Sequence, residues 1–203
     1  AGPTLAPIDP VRYITNRSSG KMGYAIAKEA RNRGANVTLV SGPTSLEPPK
    51  GIEFVKISTN EEMKNEVLKR FDDCDIVVKA AAVADYKPKK YSNQKIKKKE
   101  GDLEIALTRD NDILMELGKI KETQVLVGFA AESQNLRENA LSKLQRKNLD
   151  YVVANDITSS DTGFGVEDNK VIIFSKDNDE ISLEKMSKEK IASNLFDIIL
   201  KKR

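Results

Sequence analysis

The sequence predicts an α/β fold that is Rossmann-like, with a mostly parallel sheet flanked by helices, an inserted lysine-rich flap and a late antiparallel hairpin. Short apolar runs of strand length alternate with amphipathic segments of helix length, the pattern expected of a parallel sheet with helices on its faces. Near the C-terminal end, a polar turn separates two alternating apolar segments, residues 170–175 and 180–186. The 203 residues suffice for one ordinary domain, and no repeat or flexible linker divides them.

Apolar spacing and stop signals place the individual elements. The first helix follows the polar run 15–20 and ends at Gly34, because glycine is common just past a helix end. A second helix begins at Thr59 or Asn60, both good N-caps, and a short one follows a cap at Asp110 or Asn111. Further helices cover residues 135–150 and the segment from about Ser187 onward. Strands are predicted over residues 37–42, 51–58, 75–83, 124–132 and 151–156, followed by the hairpin 170–186.

Composition excludes several classes of site. The chain has no histidine and one cysteine, so a Ser-His-Asp triad, a Cys-His dyad, an imidazole metal site and an internal disulfide are all excluded. No apolar run approaches the about 18 residues that span a bilayer, and no signal-peptide pattern is visible, so we expect a cytoplasmic protein without membrane contact. Catalysis must then rest on positioning, lysine charge, carboxylates, amides and backbone N–H groups, which favours phosphoryl or nucleotidyl chemistry.

The N-terminal segment bears on domain organisation. A chain with this pattern should begin with a strand that leads into the loop Gly2-Pro3-Thr4, yet the sequence starts at that loop. We therefore expect residues 1–203 to form one domain that is a piece of a longer polypeptide. Residues 86–110 fit the alternation poorly and are interpreted as an insertion that leaves the sheet edge.

Residues 15–23 place two hydroxyls and a glycine just before a helix. Backbone N–H groups and the positive helix end then meet at one point, which suits an anion near Ser18, Ser19 and Gly20. An ordinary helix N-cap is the alternative interpretation. The stretch is neither a Walker A loop nor a GxGxxG motif, because Lys21 is followed by methionine and no glycine lies five residues before Gly20.

Residues 80–99 combine small side chains, one carboxylate and a dense run of lysines. Ala80 to Ala82 close a buried strand where α/β sheets bind ligands, and Asp85 follows at a position suited to a metal or a ligand hydroxyl. Seven lysines then fall between residues 87 and 99. A solvated loop, a polyphosphate clamp and a nucleic-acid patch all remain open, although only Tyr86 and Tyr91 could stack on bases here.

A pair of lysines on the helix 135–150 is the third candidate. Lys143 and Lys147 are four residues apart and share a face away from the leucines. On local pattern alone, a solvated helix face and a ligand-binding face are both possible.

Five motifs occur in order: PIDPVRYITNRSSGKMGYAIA, AAAVADY, KIKK, VGFAAES and the late VVANDI…GFGVEDNKV. Together they cover nearly the whole chain and resemble the phosphopantothenate–cysteine ligase family, in particular the ligase half of bifunctional coenzyme A biosynthesis proteins. The resemblance implies CTP-dependent ligation of 4′-phosphopantothenate with L-cysteine. The route would pass through an acyl-cytidylate and release CMP and pyrophosphate.

The resemblance also implies residue roles. Asn16 would form or hold the acyl-cytidylate, and Lys95 of KIKK would promote turnover of that intermediate. Phosphopantothenate would lie near Asn16 to Gly20, and Mg²⁺ would accompany the triphosphate with Asp85 as protein ligand. This chain has RDNDI where the family has KNPDI. The residues implied for CTP are Ala81, Asp85, Lys95, Asn111, Asp112, Ile113, Leu114, Phe129, Lys143 and Lys147.

The expected partners are small molecules and a second copy of the chain, without nucleic acid. The resemblance also implies a phosphopantothenoylcysteine decarboxylase domain, fused or adjacent, and FMN only where that domain is present. Two other functions stay open. A Rossmann-type NAD(P) reductase would need a glycine-rich pyrophosphate loop and an acidic ribose partner, but Ser41-Gly42-Pro43 follows the second strand. An RNA- or polyanion-binding domain would use the lysine loop.

Overall fold

A mixed sheet of five strands forms the centre of the computed structural model, which describes residues 1–98, 100–132, 134–156 and 168–202. The strands are β1 (Leu5–Pro7), β2 (Tyr13–Thr15), β3 (Thr38–Ser41), β4 (Glu53–Lys56), β5 (Ile76–Lys79), β6 (Tyr86–Pro88), β7 (Leu107–Arg109), β8 (Val125–Glu132), β9 (Tyr151–Asp156), β10 (Asp168–Ser175) and β11 (Glu180–Ser187). The helices are α1 (Lys21–Asn32), α2 (Asn60–Phe71), α3 (Ile113–Ile120), α4 (Leu136–Arg146) and α5 (Lys188–Lys201).

The sheet order is β11-β10-β9-β8-β5, in which β5, β8 and β9 are parallel and the hairpin β10–β11 extends the sheet antiparallel. The helices connect the parallel strands in the manner of a Rossmann-like α/β fold. The predicted fold class is confirmed, including the late hairpin. The predicted late motif GFGVEDNKV begins in residues 157–167, which lie outside the described residues.

Helices cover both faces of the sheet because successive strand side chains point to opposite faces. On β8, Leu126 packs into the cluster formed with α2, α3 and α4, whereas the next residue, Val127, packs into the cluster formed with α1 and α5. Val152 and Val153 on β9 divide in the same way. All four side chains are fully buried. Within the described ranges, no helix has the length and apolar character needed to cross a bilayer.

Two of the predicted helix caps can be compared with the structure. Thr59 caps α2 through a capping box, in which its hydroxyl accepts from Glu62 N–H and the Glu62 carboxylate accepts from Thr59 N–H. For α3, the prediction of Asp110 or Asn111 is wrong. Asp112 is the cap and accepts from Met115 N–H at 3.2 Å, while Asp110 is held away in an ion pair with Lys87.

The insertion forms a separate two-stranded ribbon, β6–β7, rather than a part of the sheet. Leu107 lies in β7, whereas Leu103 and Ile105 precede that strand. The loop 89–106 between the two strands carries KIKK and is tethered at Ile96. Arg12 donates to the Ile96 carbonyl at 3.0 Å, and Ile96 N–H donates to the Asp9 carboxylate at 3.1 Å.

A groove separates β3 from β5, and residues 1–4 lie at its end. Ala1 bonds to the β3 side, where its amino group donates to Val40 O at 2.6 Å and its carbonyl accepts from Gly42 N–H at 3.1 Å. Ala82 N–H donates to Gly2 O at 3.0 Å on the β5 side. This is the hydrogen-bond pattern of a parallel strand between two others. The groove beyond Ala1 is lined mainly by apolar side chains of β3, β5, α2 and α3.

Candidate active site

A cavity of about 290 Å³ lies at the carboxyl ends of β5, β8 and β9. In open α/β sheets this edge is where ligands bind. A larger and more open hollow of about 690 Å³ lies between α1 and the loop 46–50. The smaller cavity is the stronger candidate, because residues from four of the sequence motifs converge there from separate parts of the chain.

Most of the predicted site residues line this cavity: Ser18, Ser19, Gly20, Ala81, Asp85, Asn111, Asp112, Ile113, Phe129, Lys143 and Lys147. Asn16 lies beside them, since its side-chain amide donates to Ala82 O at 3.0 Å. Two predicted residues are not brought to the cavity. Leu114 is 1% exposed and packs in the core, and Lys95 is exposed on the loop 89–106.

The start of α1 forms one wall of the cavity. Gly20 is the N-cap of the helix in a left-handed conformation, and it has no side chain that could accept from the first turn. The conformation suits glycine, because a Cβ at this position would lie 2.8 Å from Thr44 Cγ2. An N-cap role for Ser18 or Ser19 is therefore not seen. The N–H groups at the start of a helix form an anion-binding arrangement.

Lys147 and Asp112 form an ion pair on the opposite wall. The Nζ–Oδ2 distance is 2.7 Å, and the same carboxylate caps α3. Burial alone would raise the pKa of Asp112, but the hydrogen bond and charge of Lys147 outweigh it and hold that pKa below its usual value. Asp112 therefore fixes the Lys147 ammonium at the cavity while joining α4 to the start of α3.

Lys143 reaches the cavity beside Gly128, a position of β8 that has no side chain. Its ammonium donates to the carbonyl of Phe129, and its Cε lies 4.0 Å from where a Cβ of Gly128 would be. That Cβ would also be 2.8 Å from Leu149 Cδ1 and 3.1 Å from Leu114 Cδ1. Burial, followed by repulsion from Lys147, lowers the pKa of Lys143.

Sequence analysis missed Lys79, Asn155, Asn169 and Lys188, which also line the cavity. Lys79 is the last residue of β5 and pairs in register with Gly128, so it lies next to Lys143. A single lysine in the otherwise apolar strand IVVK was the available signal. Asn155 Oδ1 is buried and has no hydrogen-bond partner among the described residues.

The carboxylates that line the cavity could hold a metal ion only together with ligands from outside the protein. Across the described residues, no three His, Cys, Asp or Glu side chains are grouped as metal ligands. Asp85 and Asp112 line the cavity, and Asp112 is paired with Lys147. Such a donor set fits Mg²⁺ that is held mainly by ligand phosphates and water, with Asp85 as its protein ligand.

A family model and two curated relatives each match most of this chain. The family model described as "DNA/pantothenate metabolism flavoprotein C-terminal domain" matches residues 1–202. The coenzyme A biosynthesis bifunctional protein CoaBC of Bacillus subtilis (strain 168) is 50% identical over 189 residues, which are 93% of this chain and 47% of that protein. A protein named cysteine/cysteine sulfinic acid decarboxylase, from an unknown prokaryotic organism, is 45% identical over 202 residues, 98% of this chain and 56% of that protein.

A solved structure supports the same relationship. The crystal structure of the C-terminal domain of CoaBC has a TM-score of 0.85 and 41% identity, and the match covers 100% of this chain and 94% of that one. The chain spans about half the length of the curated relatives it matches. Because the family model covers nearly every residue, the chain belongs to the DNA/pantothenate metabolism flavoprotein C-terminal domain family.

Proposed function

We propose that this chain joins 4′-phosphopantothenate to L-cysteine in coenzyme A biosynthesis, using CTP and releasing CMP and pyrophosphate. The observation that carries the proposal is the cavity itself. It brings the start of α1 and the lysines of α4 to opposite walls, with Asn16 beside them. Two separate anion-binding walls suit a reaction between two phosphorylated substrates. The relation to the bifunctional coenzyme A protein supports the same reaction.

The nucleotide fits the wall formed by α3 and α4. Lys143 and Lys147 would offset the charge of the triphosphate, and Lys147 is already oriented by Asp112. Asp85 would hold Mg²⁺ on the phosphates, where the ion supplies charge neutralisation to the leaving pyrophosphate. Phe129 offers a partly buried aromatic ring in the same cavity.

Phosphopantothenate fits the wall formed by residues 18–20. Its phosphate would accept from the N–H groups at the start of α1, where the N-cap residue is glycine. Its hydroxyl and amide N–H groups are donors, and Asn155 Oδ1 is an unpartnered buried acceptor in the described part of the cavity.

Two steps account for the products. A carboxylate oxygen of phosphopantothenate attacks the α-phosphorus of CTP, the bond to the β-phosphate oxygen breaks, and pyrophosphate leaves. The amine nitrogen of cysteine then attacks the acyl carbon, the bond to the CMP oxygen breaks, and the amine loses a proton. Neither step requires an imidazole, because positioning and charge stabilisation supply the catalysis. Asn16 would donate its amide N–H groups to the charge that develops in the first step.

The proposal is tested by incubating the protein with phosphopantothenate, cysteine, Mg²⁺ and each of the four nucleoside triphosphates, followed by mass spectrometry. We expect phosphopantothenoylcysteine, CMP and pyrophosphate with CTP, and acyl-cytidylate and pyrophosphate when cysteine is left out. A nucleoside diphosphate and phosphate would contradict the acyl-cytidylate route. Turnover of NAD(P)H, or only salt-sensitive binding of any oligonucleotide, would favour one of the two other functions.

The whole protein is proposed to be longer than this chain and to carry a decarboxylase domain, with FMN bound to that domain alone. The relatives support this, because the chain spans about half the length of the curated proteins it matches, one of which is named a bifunctional coenzyme A biosynthesis protein.

A homodimer is proposed to form through the β6–β7 ribbon and its loop. Leu107 and Leu103 are 48% and 54% exposed there, and a two-stranded ribbon leaves strand edges open. We expect light scattering to report a dimer at assay concentration and Leu107→Lys to shift it towards monomer. Leu200→Lys is the matched control, since Leu200 is also 48% exposed but lies on α5. A monomeric unsubstituted chain would contradict the proposal.

A further inference from the structure

Lys79 is a charged residue of the cavity that the proposed reaction has not used. It ends β5, lines the cavity and lies in register beside Gly128. Because Gly128 has no side chain, the stem of Lys143 occupies the adjoining space. The two lysines therefore lie close together on one face of the sheet.

The three neighbouring lysines differ in their partners. Lys147 is paired with Asp112, and Lys143 donates to a backbone carbonyl. Within the described residues, Lys79 has neither a hydrogen bond nor an ion pair. A partly buried ammonium beside two like charges is unfavourable unless an anion joins the group. A ligand of high negative charge would relieve the repulsion among these three ammonium groups.

We propose that Lys79 is a third phosphate-binding residue of the nucleotide site and contacts the triphosphate directly. The inference rests on the proposed use of a nucleoside triphosphate and adds a residue to it. The titratable groups around Lys79 are the ammonium groups of Lys143 and Lys147 on α4, the carboxylates of Asp112 before α3 and Asp85 after β5, the Ala1 amino group, and Lys21 and Lys188 across the cavity.

Proton uptake should accompany nucleotide binding at this residue. Burial and then repulsion by Lys143 and Lys147 lower the pKa of Lys79 to about 8. A bound triphosphate would raise that pKa again, because an opposite charge favours the protonated form. The affinity for CTP should therefore fall as the pH rises through 8, by about tenfold between pH 7 and pH 9.

The test is calorimetric titration of CTP with Mg²⁺ at pH 7, 8 and 9, in buffers of different ionisation enthalpy and without phosphopantothenate. Lys79→Met should bind CTP about tenfold to a hundredfold more weakly at pH 7. It should also lose the proton uptake at pH 8. Lys79→Arg should retain most of the affinity, with little pH dependence from this position. Cytidine, which has no phosphate, should bind the wild type and Lys79→Met equally.

Two controls make the outcomes decisive. Lys119→Met removes an exposed lysine of α3 outside the cavity and should leave CTP affinity unchanged. Thermal unfolding should show that Lys79→Met is folded, since the change removes a desolvated charge without loss of length. If the wild type binds CTP and Lys79→Met binds it equally well, the assignment of Lys79 is overturned and the proposed function stands. If the wild type binds none of the four nucleoside triphosphates, both fail.

Discussion

Asn16→Asp is expected to reduce acyl-cytidylate formation by at least about a hundredfold, the usual loss when one donor to a developing charge is removed. The Asn16 amide donates to Ala82 O, which lines the cavity, and Asn16 precedes the start of α1 by a few residues. A carboxylate in its place would face that carbonyl and add a negative charge where substrates and intermediate are anionic. Single-turnover quenching with labelled CTP measures the step directly.

Three comparisons isolate the cause of the loss. Asn16→Ala removes the donor without adding charge and should lose less activity than Asn16→Asp. Asn36→Asp makes the same charge change at an exposed position between α1 and β3 and should retain full activity. Because Asn16 is exposed, neither substitution there should change thermal stability greatly. Normal single-turnover rates in Asn16→Asp would remove this residue from the reaction.

Lys95→Gln is expected to let acyl-cytidylate accumulate while steady-state turnover falls about a hundredfold. Lys95 is exposed on the loop 89–106 and does not line the cavity, so its proposed role requires that the loop close over the bound intermediate. The tether of Ile96 to Arg12 and Asp9 keeps the loop next to β1 and β2. The Arg12 guanidinium holds the pKa of Asp9 well below its usual range, so this tether should persist across physiological pH.

The matched control for Lys95→Gln is Lys90→Gln, an exposed lysine of the same loop outside KIKK. It should turn over normally and build up no intermediate. CTP binding by Lys95→Gln should weaken only a few-fold, since Lys143 and Lys147 remain. If Asn16→Asp accumulates acyl-cytidylate and Lys95→Gln does not, the two roles are reversed.

Local sequence patterns were sufficient for the order and type of most elements. Apolar periodicity, the Thr59 cap and the polar turn 176–179 act between residues that are near in sequence, so they can be recognised without a structure. Local patterns did not identify the correct helix cap where several neighbouring polar residues could each act as the cap. Asp110, Asn111 and Asp112 are all possible caps. In the structure Asp112 caps α3 and pairs with Lys147, whereas the carboxylate of Asp110 pairs with Lys87.

The composition of the cavity also depended on contacts between distant residues. Lys79 and Lys143 approach each other because β5 and β8 are parallel neighbours in one register and Gly128 leaves space between them. Leu114 was grouped with the ligand residues around it, but the helical turn of α3 directs its side chain into the core. Spacing along the chain could locate the motifs and the absence of histidine could limit the chemistry. Strand pairing and helix packing determine which charged side chains line the same cavity, because they bring together residues that are far apart in the sequence.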